Sequence, residues 1–428
     1  MNILLINLHS ARNEGDRLLL DRTLALLRRA FPAANIVLSA NDPDSFVTYQ
    51  ESVVPSLTWW FKRPCEGRSR WVWSSLLMAP FLLAIAVLAL RGSCKLVRLL
   101  PARQQALLIA LSDADFVVAA PGNYFYTSGR LGLALLFVLL NQWLVLVAGK
   151  PLYLFPQTIG PLCRSWERRA LGHVLAKARI IFLRDIFSVH LLARLPGRPF
   201  RAVVVPDLAF ATERYADTLG RELLASHGLT VLERPLLGVT VLDWGRLQRS
   251  FRQQKAYERA VAEAIDFFVK AYGGQAVLFP QVCGPSVAEN DLIPSLRVYE
   301  QVRQRDRVLL IGHVPSVEHL ISAYGLMDIF LGTRLHSNIL AVTQGVPVLA
   351  IAYQPKTYGV MQSVGLQSWV VLIETVSADL LQQYLRALWE QREAVRVVIA
   401  QMLERIQSEV AWVGEMVHRD FERIAIRR

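Results

Sequence analysis

Short apolar runs bounded by turn residues alternate along this chain with longer segments whose apolar positions recur every third or fourth residue. The runs read as strands buried on both faces, the longer segments as helices that cover them. In the first half, strands are expected at Ile3–Leu8, Ile36–Ser39, Phe116–Ala119, Leu152–Phe155, Ile180–Leu183 and Val203–Val205. Helices are expected at Arg17–Ala30, Leu131–Ala148, Trp166–Ala178 and Phe187–Leu195. That rhythm predicts a parallel sheet with helices on both faces. Polar Thr212–Arg234 reads as a connector, and the pattern restarts at Leu237–Leu242. Further strands follow at Ala276–Phe279, Val308–Ile311, Ile329–Leu331, Val348–Ala352 and Trp369–Leu372, with helices at Tyr257–Ala271, Ser316–Tyr324 and Ser337–Thr343. The tail from Ala378 reads as long, helical and charged on one face, and is expected to pack back across both domains.

An internal echo points to two related halves. Phe155-Pro156-Gln157-Thr158-Ile159-Gly160-Pro161 recurs as Phe279-Pro280-Gln281-Val282-Cys283-Gly284-Pro285, each copy ending an apolar strand. Ile181-Phe182-Leu183-Arg184 is matched by Ile329-Phe330-Leu331 leading to Arg334. The expected fold class is α/β: two doubly wound, Rossmann-like domains facing a cleft, a glycosyltransferase-B-like arrangement with long C-terminal helices. The boundaries expected are 1–230, 231–376 and, for the helices, 377–428. Ligands would bind at the carboxyl edges of the strands.

Composition narrows the partners. A chain of 428 residues with 53% hydrophobic content has material for two cores. The cysteines Cys65, Cys94, Cys163 and Cys283 form no C-x-x-C pair, which argues against a zinc site or disulfide framework and fits a reducing, cytoplasmic compartment. The N-terminus reads as a first buried strand rather than a secretory signal. The net charge of +12 calls for an anionic partner. From Phe61 to Arg103 there are eight basic residues and one acid, flanking twenty uncharged residues from Trp71 to Leu90. A spanning helix there would separate the first strand from its sheet. The reading favoured is a segment lying on the anionic inner face of the membrane, with Trp71 and Trp73 at headgroup level. The alternative is a helix buried in the domain or in an oligomer interface. Nucleic acid is set aside, because the basic segment carries no recognition motif.

Candidate chemistry concentrates at Ile329-Phe330-Leu331-Gly332-Thr333-Arg334-Leu335-His336-Ser337-Asn338. An apolar strand ends in Gly-Thr, presents an arginine and a histidine, and enters a helix that Gly345 and Pro347 stop. A helix N-terminus at a strand end binds anions through its unpaired N–H groups. Arg334 adds a planar, two-pronged donor for phosphate or carboxylate, and His336 can carry a proton near neutral pH. The plainer readings are a salt-bridged arginine and a solvated histidine.

Leu331-Gly332-Thr333-Arg334-Leu335-His336-Ser337, followed by Gly345-Val346-Pro347-Val348, Tyr353 and Lys356, resembles the C-terminal signature of the polysaccharide pyruvyl transferase family. Asn13-Glu14-Gly15-Asp16, Pro121-Gly122-Asn123, Gln157-Thr158-Ile159-Gly160-Pro161, Arg184-Asp185 with Ser188, and Val205-Pro206-Asp207 are similar to further family motifs, in the family's order. Two features depart from its pattern: Pro121 stands where a glycine is usual, and the apolar insert is not part of the common core.

The resemblance implies transfer of the pyruvyl group of phosphoenolpyruvate to two hydroxyls of one sugar, free or lipid-linked, in exopolysaccharide or cell-surface glycan synthesis. It demands no metal or organic cofactor, phosphoenolpyruvate being a co-substrate. On this reading His336 is the acid/base, and Arg334 with the backbone N–H groups at Leu335 and Ser337 holds the donor. Arg184 and Lys356 are further donor-binding cations; their plainer roles are a structural pair with Asp185 and a solvated loop lysine. Asn13, Asp16, Asn123 and Gln157 are acceptor-binding candidates, with His9 at a comparable strand end; helix capping is the plainer role for Asp16. The 1–230 domain would take the acceptor and 231–376 the donor. The alternatives are a nucleotide-sugar-dependent glycosyltransferase of the same build and a catalytically inactive, membrane-associated relative.

Overall fold

The structure, a computed structural model, describes residues 1–61, 83–88, 90, 91, 97, 98, 100, 102–127, 133–197, 199–230, 235–248, 250–282 and 290–426. These form two compact α/β units. The first comprises Met1–Ala11, Leu19–Val205 and Ala411–Arg428; the second comprises Arg12–Leu18 and Pro206–Val410.

The first unit is built on β1 (Asn2–Leu8), β2 (Asn35–Ala40), β3 (Ser52–Pro55), β4 (Phe116–Ala119), β5 (Gly122–Phe125), β6 (Leu152–Ile159), β7 (Ile180–Leu183) and β8 (Ala202–Val204). All pairings are parallel, in the order β3-β2-β1-β4-β6-β7-β8, with β5 on β6. Ile3, Leu4, Leu5, Ile6 and Leu8 are all buried, as a strand covered on both faces requires. The order reverses between β1 and β4, and a crevice at the strand carboxyl ends opens at such a point.

Two strands escape the sequence pattern. β3 is a half-buried edge strand ending in Pro55, and β5 is Gly-Asn-Tyr-Phe with a register irregularity between Gly122 and Phe125. Neither offers an apolar run. Within the apolar insert, Ile85 and Ala86 pack into the first unit's core. Trp71, Trp73 and the basic cluster from Lys62 to Arg70 lie outside the described residues. No helix of the described residues is long and apolar enough to cross a membrane.

The second unit carries β9 (Leu236–Thr240), β10 (Gln275–Leu278), β11 (Val308–Leu310), β12 (Ile329–Gly332), β13 (Val348–Ala352) and β14 (Val370–Leu372). They are parallel in the order β11-β10-β9-β12-β13-β14, reversing between β9 and β12. The connector expected over Thr212–Arg234 contains a helix, Asp217–Ser226. It lies so close to the helix Val317–Gly325 that a Cβ on Gly220 would sit 2.6 Å from the Ala323 nitrogen. Gly220 N–H donates to Ser322 Oγ at 2.8 Å. Gly220 allows that close approach, and Leu223 and Leu224 are buried on the same helix.

The C-terminal tail is one helix, Ala378–Ala425. Leu381, Leu385, Leu388 and Ile399 are buried in the stretch that groups with the second unit, Val413 and Val417 in the stretch that groups with the first. In the first unit, Asp420 accepts from Tyr153 Oη at 2.9 Å, from Arg179 Nε and Nη2 at 3.1 Å each, and from Arg201 Nη1 at 2.5 Å.

Candidate functional site

The segment after β12 is fixed by short polar links at the reversal of the second sheet. Thr333 N–H donates to Thr240 O, at the end of β9, at 3.0 Å. Thr333 Oγ1 is 2.7 Å from Tyr257 Oη, Thr240 Oγ1 is 2.7 Å from Ser337 Oγ, and Ser337 Oγ donates to Arg334 O at 2.7 Å. Asn338 Nδ2 donates to Gly332 O at 3.1 Å, and its Oδ1 lies 1.7 Å from where a Cβ on Gly332 would fall. Only glycine fits there. Arg334 is the N-cap of the helix Leu335–Thr343, with Asn338 N–H bonded to Arg334 O at 3.2 Å. The N–H groups of Leu335, His336 and Ser337 precede that bond and have no intrahelical acceptor. The side chains of Leu335 and Ser337 are buried, so these two residues can offer a ligand only backbone.

Arg334 is turned toward an acid the sequence did not single out. Its Nε donates to Asp291 Oδ2 at 3.0 Å and its Nη2 to Oδ1 at 2.6 Å. Asp291 is 1% exposed and also accepts from Val282 N–H at 3.0 Å. Burial works against the Arg334 charge, but attraction to Asp291 outweighs it and raises the guanidinium pKa. The two-pronged grip expected for a substrate is therefore spent on Asp291, and Nη1 is the edge of the guanidinium outside that pair.

β13 leads into a second helix, Pro355–Ser363, at the neighbouring strand end. Lys356 Nζ stands 5.6 Å from the centre of the Tyr353 ring, which packs on Trp244 at 4.8 Å. Burial alone would raise the Tyr353 phenol; Lys356 and Arg334 outweigh it and hold its pKa below the usual tyrosine value. Lys356 is half-buried in the first turn of that helix, beside Tyr353. Two helix N-termini, Lys356 and the Asp291-paired Arg334 thus meet at adjacent strand ends.

His336 occupies the first turn of Leu335–Thr343, facing the segment Arg12–Leu18 that groups with this unit. A Cβ on Gly15 would lie 2.5 Å from His336 Nδ1, so a side chain there would displace the imidazole. Asn13 Oδ1 accepts from Gly15 N–H at 3.1 Å, and Asn13 O accepts from Arg17 N–H at 2.9 Å. Asn13 is therefore the helix cap, and Asp16 sits inside the first turn, where its charge complements the dipole. The helix begins three residues before the expected Arg17, which moves the cap from Asp16 to Asn13. The Asn13–Asp16 motif and the Arg334–Ser337 motif, far apart in sequence, are brought together.

Arg184, Gln157 and Asn123 belong to the first unit. Arg184 is 2% exposed, and its Nε donates to Thr158 Oγ1 at 2.9 Å. Asp185 caps the helix Ile186–Leu192 through Ser188 N–H at 2.8 Å, and accepts from Thr158 Oγ1 at 2.9 Å. Ile159 N–H donates to Ser188 Oγ at 2.8 Å. Arg-Asp-x-x-Ser and Gln-Thr-Ile-Gly-Pro are thus parts of one hydrogen-bonded corner. Gln157 is fully buried, with Nε2 donating to Ala120 O. β5 sets Gly122 opposite it, with Asn123 next in line. Asp207 caps a short helix, accepting from Ala209 N–H at 2.9 Å.

Comparison with known proteins bears on this arrangement. The family model described as polysaccharide pyruvyl transferase matches residues 13–355. The amylovoran biosynthesis protein AmsJ of Erwinia amylovora is 22% identical over 412 residues, covering 95% of this chain and 96% of that protein. Among solved structures, sucrose-phosphate synthase from Thermosynechococcus elongatus superposes with a TM-score of 0.59 at 13% identity, each chain covered in full. Anabaena HepE in complex with UDP and glucose gives 0.55 at 13% identity, with 98% of this chain and 99% of that one covered. These likenesses establish the glycosyltransferase-B-like fold. The family model spans both the capped Asn13 turn and the Arg334–His336 helix that meet in the second unit, and the chain belongs to the polysaccharide pyruvyl transferase family.

Proposed function

We propose that this protein transfers the pyruvyl group of phosphoenolpyruvate to two hydroxyls of one sugar in a free or lipid-linked glycan. The products are a cyclic ketal and inorganic phosphate, in a step of exopolysaccharide or cell-surface glycan synthesis. The observation that carries this reading is the pairing of a proton carrier, His336, with an electropositive edge made by two helix N-termini, Arg334 and Lys356. Phosphoenolpyruvate has a phosphate and a carboxylate, and the two helix ends with their cations match two anionic groups. Asp291 acts as a positioning residue that fixes the guanidinium plane.

The chemistry then follows. Imidazolium His336 gives its proton to carbon three of the enol, and carbon two becomes electrophilic. A sugar hydroxyl adds there, its proton restoring the imidazolium, and the carbon–oxygen bond to phosphate breaks. A second hydroxyl closes the ring, and its proton leaves with the phosphate as hydrogen phosphate. General acid catalysis of this kind is worth roughly 10²–10⁴-fold. No step requires a metal or organic cofactor. The basic residues that flank the apolar insert support a reaction at an anionic inner membrane face, where a lipid-linked sugar would be met.

A second reading, a nucleotide-sugar glycosyltransferase, draws on the fold shared with HepE, whose structure contains UDP and glucose. It needs an acid to grip ribose. Asp291 is the buried acid beside this edge, and Arg334 occupies it. Calorimetric titration separates the readings. Phosphoenolpyruvate should bind the wild type, with affinity at least tenfold weaker in Arg334→Ala. Binding of UDP-glucose in preference to phosphoenolpyruvate would overturn the proposal.

A further inference from the structure

We infer that the outer face of the helix Leu133–Val147, in the first unit, rests on the surface of an anionic phospholipid bilayer. This contact is separate from the insert 71–90 and does not depend on pyruvyl transfer.

The helix is turned inside out. It carries no charged residue, and its polar side chains are Asn141 and Gln142. A helix that covers a sheet normally turns its polar positions to water. Here Asn141 and Gln142 are buried, while Leu136 is 37% and Trp143 36% exposed. Leu140 and Val147 are partly exposed, so Leu136, Leu140, Trp143 and Val147 run along one outward stripe at spacings of four, three and four. A helix that is apolar all round belongs in a core or in lipid. With 15 residues it is shorter than the about 20 that a membrane crossing takes, so lipid would be met along its side.

Its neighbours extend the surface. Leu4 and Ile6 of β1 share one core cluster with Leu107, Leu139 and Leu171, so the helices Ala102–Asp113, Leu133–Val147 and Ser165–Leu175 cover the same face of the first sheet. Their solvent side exposes Ile109, Leu136, Trp143 and Trp166. On Ser165–Leu175 the outward stripe continues from Trp166 through Arg169 and His173 to Lys177, just past the helix end, and all four are exposed. Glu167, the acid of that helix, is fully buried. The layer therefore offers apolar side chains beside positive charge.

That combination fits a bilayer surface. Leucine side chains enter the acyl boundary, tryptophan rings sit at headgroup level, and Arg169 and Lys177 meet anionic phosphates. A second copy of the chain is the poorer occupant. A two-fold contact sets a patch against itself and would bring two positively charged rims together.

Vesicle flotation of the full chain, without phosphoenolpyruvate or glycan, tests the contact independently of pyruvyl transfer. The wild type should bind vesicles of equal parts phosphatidylcholine and phosphatidylglycerol at least tenfold more tightly than vesicles of phosphatidylcholine alone. Leu136→Glu and Trp143→Glu keep the insert and should each weaken binding to the mixed vesicles at least tenfold, with circular dichroism reporting whether each is folded. Arg169→Glu combined with Lys177→Glu changes exposed side chains alone and should weaken it as much. No flotation of the wild type, or flotation unchanged in folded Leu136→Glu or in the Arg169→Glu, Lys177→Glu pair, would overturn the inference. A dimer in sedimentation equilibrium that Leu136→Glu dissociates, with vesicle binding intact, would also overturn it and assign the face to a second copy.

Discussion

At the scale of single residues, His336, Gly15 and Asp291 carry separable predictions. His336→Gln should lower turnover roughly hundredfold or more, the value of a lost general acid, without lowering the melting temperature. Retained turnover excludes it as the proton donor. Gly15→Ala should mimic that loss, because the new Cβ would fall 2.5 Å from His336 Nδ1 and push the ring aside. Misplacement by about 1 Å can cost roughly hundredfold. Steady-state phosphate release measures both variants, and wild-type rates for Gly15→Ala would refute the contact. Asp291→Ala strands the Arg334 charge and should cost about 3–5 kcal/mol in urea unfolding. Arg334 and His336 were legible because both lie in one contiguous motif at a strand end. Asp291 was not: it follows no periodic run, and its partner is 43 residues away. Gly15 was visible as a motif member, but its purpose lies in a contact with His336 that no local pattern encodes.

At the scale of elements, the strands fully covered by helices were legible and the marginal ones were not. β4, β7 and β13 are continuous apolar runs and β1 is one interrupted by Asn7, so their bounds could be read almost to the residue. The helix Pro355–Ser363 was missed because its polar content masks the period, and Leu292–Gln301 because Pro294 stands in its first turn. The long C-terminal helix is tied to the first sheet by Asp420. Burial raises its carboxyl pKa, but Arg179, Arg201 and Tyr153 outweigh burial and hold it below the usual carboxylate value. Glu167 is lowered likewise: Thr127, Arg164 and the Cys163 N–H overcome burial. A depressed folded pKa contributes stability that is present above the unfolded value, near 3.9–4.3, and lost as pH falls through the folded value. The melting temperature should therefore fall steeply below about pH 4. In Asp420→Asn it should be lower at pH 7 and fall less steeply. Parallel wild-type and variant curves would contradict the account.

At the scale of the molecule, the repeated Phe-Pro-Gln strand end anticipates two sheets of the same build, each with an order reversal at its centre. What the pattern could not supply is the chain's grouping: Arg12–Leu18 goes with the second sheet, and the end of the last helix goes with the first. Such exchanges are set by packing at a distance. The basic, apolar insert makes a whole-molecule prediction. Deleting 71–90 should shift the protein out of the membrane fraction of lysed cells, and an unchanged distribution would reject the membrane role. The central claim is that the second unit's electropositive edge and His336 turn an enol phosphate and a sugar into a ketal. Mass spectrometry of glycans, free and lipid-linked, incubated with the protein and phosphoenolpyruvate tests it most directly. The account predicts a product heavier by one pyruvyl ketal, formed with equimolar phosphate and absent with His336→Gln; a pyruvylated product of equal yield from that variant would contradict it.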